Sequence, residues 1–257
     1  MTTAFAKSPD NTLIAYDIQG TGPALLLLHG GWSSRQDWHE HGYVERLKER
    51  FTVVTIDIRG KGESDKPTES AAYTIDKLCA DILAVADACG IDRFALWGFS
   101  YGGNIGRFLA AGSDRVTKFI IMGIPFGPAA SARFRDFIEN YCAHWRPIIE
   151  AQRNGTLDLA TLSADDQQDL QEVDVTVAMA WLSAMLDWGA IEPADLRCPT
   201  LWLVGSANEL AMASVKAYEQ TLPGTPVQVA IIEGLDHAGE LTEIDKVLPV
   251  MTAFTVA

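Results

Sequence analysis

The sequence predicts an α/β fold: a mostly parallel central sheet, helices on both faces, and a helical cap inserted after the sixth strand. Three observations predict it. Short apolar runs alternate with helix-period segments along most of the chain, as expected for parallel strands buried on both faces. Several of those runs end in glycine-containing turns. One stretch, residues 126–196, breaks the alternation and reads as helix.

The elements follow in order. Residues 3–7 and 13–18 flank Ser8, Pro9, Asp10 and Asn11, a hairpin expected at an antiparallel edge. Residues 24–29 are a short apolar run that ends in Gly30 and Gly31, and residues 51–57 a β-branched run that ends in the turn of Arg59, Gly60, Lys61 and Gly62. Residues 74–89 read as helix. Ile75, Leu78, Cys79, Ile82, Leu83 and Ala86 recur at three- and four-residue spacing, and Gly90 occupies the position just past the end. Residues 93–99, 116–123, 201–205 and 227–233 supply the remaining strands. The body is expected to span residues 1–125 and 197–257 and the cap residues 126–196, which is rich in large apolar residues. Such insertions sit over the ligand-binding edge of a parallel sheet. Trp145, Trp181 and Trp188 of the cap, with Trp32 of the body, are therefore candidate substrate contacts, although core packing is the commoner fate of such residues.

Composition narrows the function. With 257 residues, 48% hydrophobic and 21% charged, the chain can bury roughly three-quarters of its unfolded surface. A net charge of −14 disfavours nucleic acid and anionic membranes as partners. The first residues lack a basic segment followed by an apolar one, so no secretory signal is expected. Residues 24–28 fall far short of the roughly 20 apolar residues a membrane span needs. The expectation is a soluble, cytoplasmic protein, with homo-oligomerisation left open. None of Cys79, Cys89, Cys142 and Cys198 forms a C-x-x-C pair. Cys79 and Cys89, ten residues apart on one helix, lie roughly 15 Å apart, too far for a disulfide.

The chemistry concentrates at three places. Gly98-Phe99-Ser100-Tyr101-Gly102 follows an apolar run and opens a helix, the strand–turn–helix context of a nucleophile elbow. A serine on so sharp a turn is lifted clear of the sheet. The helix N-terminus beside it offers free N–H groups where an oxyanion would form. His29, Gly30 and Gly31 follow an earlier strand, so the backbone N–H of Gly31, with that of Tyr101, is a candidate oxyanion hole; the N–H of Trp32 is the alternative first donor. His237 lies on a loop after the last strand, and the order of serine, acid position and histidine is the order this elbow uses. His39 and His41 look like a metal pair, but residues two apart diverge on a helix, and no metal site is expected.

These motifs, with the Asp57 to Ser64 turn, resemble the α/β-hydrolase family in its lipase, esterase and lactonase-like branch, over residues 24–257. The resemblance implies the α/β-hydrolase fold, Ser100 as nucleophile, His237 as general base, no cofactor, and a small, partly apolar ester or lactone as substrate. Asp57 and Arg59 match a turn that is mostly structural. Epoxide hydrolases and haloalkane dehalogenases of this fold carry aspartate where Ser100 stands, which disfavours both. The chain departs from the family at the acid. The aspartate expected three residues after Gly205 is Asn208, which can orient His237 only without charge; Glu209 could serve if the loop shifts by one residue. The family's other acid position, around Met122 and Gly123, holds no carboxylate. Hydrolysis of a carbon–carbon bond, perhydrolysis, and a non-catalytic ligand-binding protein on the same scaffold are the alternatives.

Overall fold

A computed structural model describes residues 2–256. An eight-stranded sheet forms from β1 (Ala4–Lys7), β2 (Leu13–Gln19), β3 (Ala24–Leu28), β4 (Thr52–Ile56), β5 (Phe94–Phe99), β6 (Val116–Met122), β9 (Thr200–Gly205) and β10 (Val227–Ile232). Their order is β1-β2-β4-β3-β5-β6-β9-β10. β1 and β2 pair antiparallel, as the hairpin pattern predicts, and β2 pairs antiparallel with β4. Every later pairing in this sheet is parallel.

The strands sort their apolar residues by the period of two. Leu26, Leu28, Leu96, Phe119, Ile121, Trp202 and Val204 face one core. Leu25, Leu27, Trp97, Ile120, Met122, Leu201 and Leu203 face the other. The first core is covered by α3 (Ile75–Ala88) and α4 (Tyr101–Gly112). The second is covered by α1 (Gln36–Glu40), α2 (Tyr43–Leu47) and α10 (Ile244–Val256). Trp38, Tyr43 and Trp97 interlock there with ring centres 5.2 Å apart. Each such side chain contributes about 1.5–3 kcal/mol by burial alone.

Between β6 and β9 lie α5 (Ala132–Arg153), α6 (Ala164–Glu172) and α7 (Val175–Met185). The insertion is helical, as its pattern predicts, with one addition: β7 (Gly127–Pro128) and β8 (Ala190–Ile191) pair antiparallel where the chain leaves and rejoins the body. α8 (Glu209–Tyr218) follows β9, and the one-turn α9 (Gly239–Thr242) precedes α10. Among the described residues no helix is long and apolar enough to cross a membrane.

Candidate active site

The sheet's register decides which loops meet. Gly98 pairs with Leu28 on one side and Ile121 on the other, Met122 with Leu203, and Gly205 with Ile232. The C-terminal ends of β3, β5, β6, β9 and β10 therefore align, and the turns carrying Gly31, Ser100, Gly123, Asn208 and His237 open at one edge.

Ser100 is one of two described non-glycine residues with positive φ, at φ 52° and ψ −114°. A serine held there stores about 1–3 kcal/mol of strain. The neighbouring glycines are required by space. A Cβ on Gly98 would lie 2.5 Å from the Gly102 backbone, and one on Gly102 would lie 2.4 Å from Leu28 O. The turn is thus wedged between β3 and the first turn of α4, with Oγ presented outward. Oγ lies 3.1 Å from His237 Nε2. The imidazole stacks on Phe99 at 4.9 Å and is about half exposed.

The far side of that imidazole departs from the sequence expectation. Its Nδ1 faces Glu240 Oε2 at 3.6 Å, an ion-pair separation. Glu240 is fully buried, and its carboxylate is built into the body. Gly205 N donates to Oε1 at 2.6 Å, and Asn208 Nδ2 lies 3.1 Å from both oxygens. Asn208 does not accept from His237. Its Oδ1 caps α8 by accepting from Ala211 N at 3.2 Å, and its amide group donates to Glu240 and to Gly123 O. Glu209 is the exposed first residue of α8, directed to solvent because Asn208 caps the helix behind it. Both expected orienters are therefore corrected: the carboxylate beside His237 is Glu240, three residues further along the chain. Gly123 completes the arrangement. Its backbone lies so close that a Cβ would sit 2.8 Å from Glu240 Oε2 and 3.0 Å from His237 Nδ1.

Gly31 packs on Tyr101, where an added Cβ would lie 3.4 Å from the tyrosine Cβ. Among the described residues, no acceptor takes the backbone N–H of Gly31, Trp32 or Tyr101, whereas that of Gly102 is spent on His29 O. His29 braces this loop. It is buried, with Nδ1 2.7 Å from Gly30 O and Nε2 accepting from Ile58 N at 3.1 Å. Burial pushes its pKa down to about 4, so it stays neutral.

Ser100 and His237 open into a cavity of about 450 Å³. Trp32, at its mouth, and the buried Trp181 line it together with Phe134 and Met185. Trp145 and Trp188 do not. Trp145 packs inside the cap with Ile149 and Val175, and Trp188 lies behind Tyr101, its Nε1 donating to Tyr73 O at 3.0 Å. For these two the expectation of substrate contact is corrected: burial inside the cap claims the ring of Trp145, and packing of the cap on the body claims that of Trp188. Lys61 lies over the ring of Trp181, Nζ 4.3 Å from its centre. Burial, opposed by the nearby Asp174, pushes its pKa down to about 7. The ring nitrogen Nε2 of His39 is taken by Asp17 at 2.9 Å.

The comparisons agree with this architecture. A sequence model of the alpha/beta hydrolase fold matches residues 23–187. Epoxide hydrolase 4 of Mus musculus is 34% identical over 104 residues, 40% of this chain and 28% of that protein. The chain thus spans well under half the length of that relative. A protein of Synechocystis, provisionally named a non-heme chloroperoxidase, is 26% identical over an alignment covering 94% of both chains. Among solved structures, an esterase from Thermogutta terrifontis with malate bound superposes with a TM-score of 0.74 at 21% identity, over 99% of this chain and 98% of the other.

Proposed function

The chain belongs to the α/β-hydrolase fold family, and from that premise we propose that it is a cofactor-free serine hydrolase of small, partly apolar carboxylic esters or lactones. The observation that carries the reading is the 3.1 Å pairing of Ser100 Oγ with His237 Nε2, on a strained elbow that faces a largely apolar cavity. Ser100 Oγ attacks the acyl carbon while His237 Nε2 takes its proton. The N–H groups of Gly31 and Tyr101 receive the oxyanion. Glu240 holds the imidazole with Nδ1 protonated and stabilises the imidazolium, the role of the acid in a triad. His237 then protonates the leaving alcohol, and water, activated by the same imidazole, releases the acid and frees Ser100.

Labelling with a fluorophosphonate and turnover of a panel of ethyl esters and lactones test this reading. The wild-type protein is expected to label and to turn over. Ser100→Ala removes labelling and lowers turnover by about 10⁴-fold or more, while the circular-dichroism melt is kept. Turnover by that variant at the wild-type rate overturns the assignment. A second reading, perhydrolysis, takes support from the full-length likeness to the protein named a chloroperoxidase. In it, hydrogen peroxide replaces water on the acyl-enzyme and the product is a peracid. Peracid formation from acetate and peroxide, faster than ester hydrolysis, would favour it.

A further inference from the structure

The cavity beside Ser100 includes a cation that has no counter-ion. Arg107 is 1% exposed, yet its side chain forms part of the cavity wall. Nη1 donates to Pro125 O at 3.1 Å. Nε is sealed without a partner, and among the described residues no carboxylate lies within 4.0 Å of the guanidinium. Two groups favour its charge: Tyr218, whose hydroxyl is pushed up to about 12 by burial and so stays neutral, and Glu192, which is engaged by that hydroxyl. Burial pushes the Arg107 pKa down to about 10, still far above neutrality, so the charge stays. A guanidinium left in this state costs several kcal/mol relative to one that is paired.

Its neighbours are as incomplete. Ser131 Oγ and Asn104 Oδ1, from two further residues of the same wall, also lack hydrogen-bond partners. Carboxylates are missing from that wall, and Arg107 is its one fixed charge among the described residues. The chain as a whole carries a net charge of −14, so attraction of an anion here has to come from this local group.

Helical spacing relates the cation to the reacting centre. Ser100 caps α4, Asn104 N donates to Ser100 O, and Arg107 stands seven residues beyond the serine. Positions i, i+4 and i+7 share one helix face, with roughly 10 Å between the outer two Cα atoms. Helical side chains lean toward the N-terminus, which brings the guanidinium back toward Ser100. We propose that Arg107 is the carboxylate-binding residue of the cavity, so that the hydrolysed ester carries a free carboxylate several bonds from its acyl carbon. The guanidinium pairs with that carboxylate, Ser131 Oγ–H donates to it, and Asn104 Oδ1 accepts from a hydroxyl or amide of the substrate. This deepens the hydrolase reading and rests on it only for where the acyl group sits.

The experiment compares carboxylates with neutral isosteres. One arm uses monoethyl esters of C4 to C8 diacids against the matching ω-carboxamides, with the charge on the acyl side. The other uses acetate esters of ω-hydroxy acids against their amides, with the charge on the alcohol side. A preference for the carboxylate of roughly 10- to 100-fold in kcat/KM is expected in one arm, carried mainly by KM, the scale of a charge-assisted hydrogen bond. Arg107→Met brings the ratio near one, and Arg107→Lys keeps part of it. A ratio near one in both arms for the wild-type protein overturns the proposal and leaves the hydrolase reading standing if Ser100→Ala still abolishes turnover of the neutral esters. Calorimetric titration of Ser100→Ala with a C6 diacid and with its diamide reads the site without turnover. Binding of the diacid alone supports the proposal, and equal or absent binding of both refutes it, whether or not any ester is hydrolysed.

Discussion

Arg59 and Arg107 are each 1% exposed, and they have opposite surroundings. Arg59, on the turn after β4, is clasped by two carboxylates. Nε and Nη2 donate to Asp81 at 2.8 and 2.7 Å, and Nη1 and Nη2 to Asp10 at 2.5 and 3.0 Å. Burial works against its charge, but the bonds to Asp81 and Asp10 outweigh it and hold the pKa above the ordinary value. Arg107 has a single carbonyl acceptor, the ring of Phe108 with its centre 5.6 Å from the guanidinium carbon, and a cavity. The difference separates two uses of buried charge. Around Arg59 every charge has its partner inside the protein, which fits the structural role expected of that turn. At the cavity, in the reading proposed above, charges stand ready for partners that arrive with the substrate or arise during turnover.

Glu240 extends the second group and provides the largest expected effect. Its hydrogen bonds come from Asn208 and the Gly205 N–H, and in the mechanism proposed above its full positive partner is the imidazolium that His237 forms on taking the serine proton. Glu240→Gln keeps the shape and the buried acceptor while removing the charge. Turnover is expected to fall by about 10³- to 10⁴-fold, as for an acid-to-amide change in a serine protease, with the urea midpoint shifted little. A variant that turns over normally would place Glu240 with the structural charges.

The arginines themselves test the comparison on stability. Arg59→Met strands the buried carboxylate of Asp81 in α3 and that of Asp10 in the β1–β2 turn, and a loss of about 3–5 kcal/mol is expected from urea unfolding. Arg107→Met strands only a carbonyl oxygen and removes a costly cation that has no carboxylate partner among the described residues and only the Phe108 ring against it, so stability is expected to hold or rise. An equal, large loss in both variants would mean that Arg107 is a structural residue after all.

Legibility in the sequence divides along the same line. The strands, the elbow and His237 were readable because a period of two and a strand–turn–helix context are local signals. Ser100, His237, Gly31 and Tyr101 all meet at the cavity. The acid was not readable. Asn208 correctly marked a departure from the family pattern, but Glu233, Asp236, Glu240 and Glu243 all lie near His237 in sequence. Only folding shows that the one-turn α9 turns Glu240 inward, onto donors from β9 and α8. The tryptophans divided because pocket and core draw on the same residue types. Trp32 and Trp181 reach the cavity, whereas Trp145 and Trp188 are claimed by packing. Arg107 reads in sequence as an ordinary helical residue, and its isolation is created by the segments that fold over it.

Lys61 offers the smallest and most discriminating effect, since it lies against indole rings and, of the charged groups, only the weaker influence of Asp174 favours its charge. Its ammonium lies 4.3 Å from the ring centre of Trp181 and 5.3 Å from that of Trp32. Attraction to the rings favours the charge by about 0.5–2 kcal/mol, while burial disfavours it. The pKa, pushed down to about 7 from 10.5, says that burial wins. Between those two values the unfolded chain binds more protons than the folded one, so the lysine's penalty is complete below about pH 7 and fades as pH approaches 10. Lys61→Met is therefore expected to raise stability at pH 6–7 by about 1 kcal/mol or less, because part of the side chain meets solvent. Urea midpoints of the two proteins should converge toward pH 10. A variant less stable than wild type at pH 6–7, with the gap closing as pH rises, would show that the indole rings compensate the ammonium. Lys61 would then stand with Arg59, among the charges whose partners are already inside the protein.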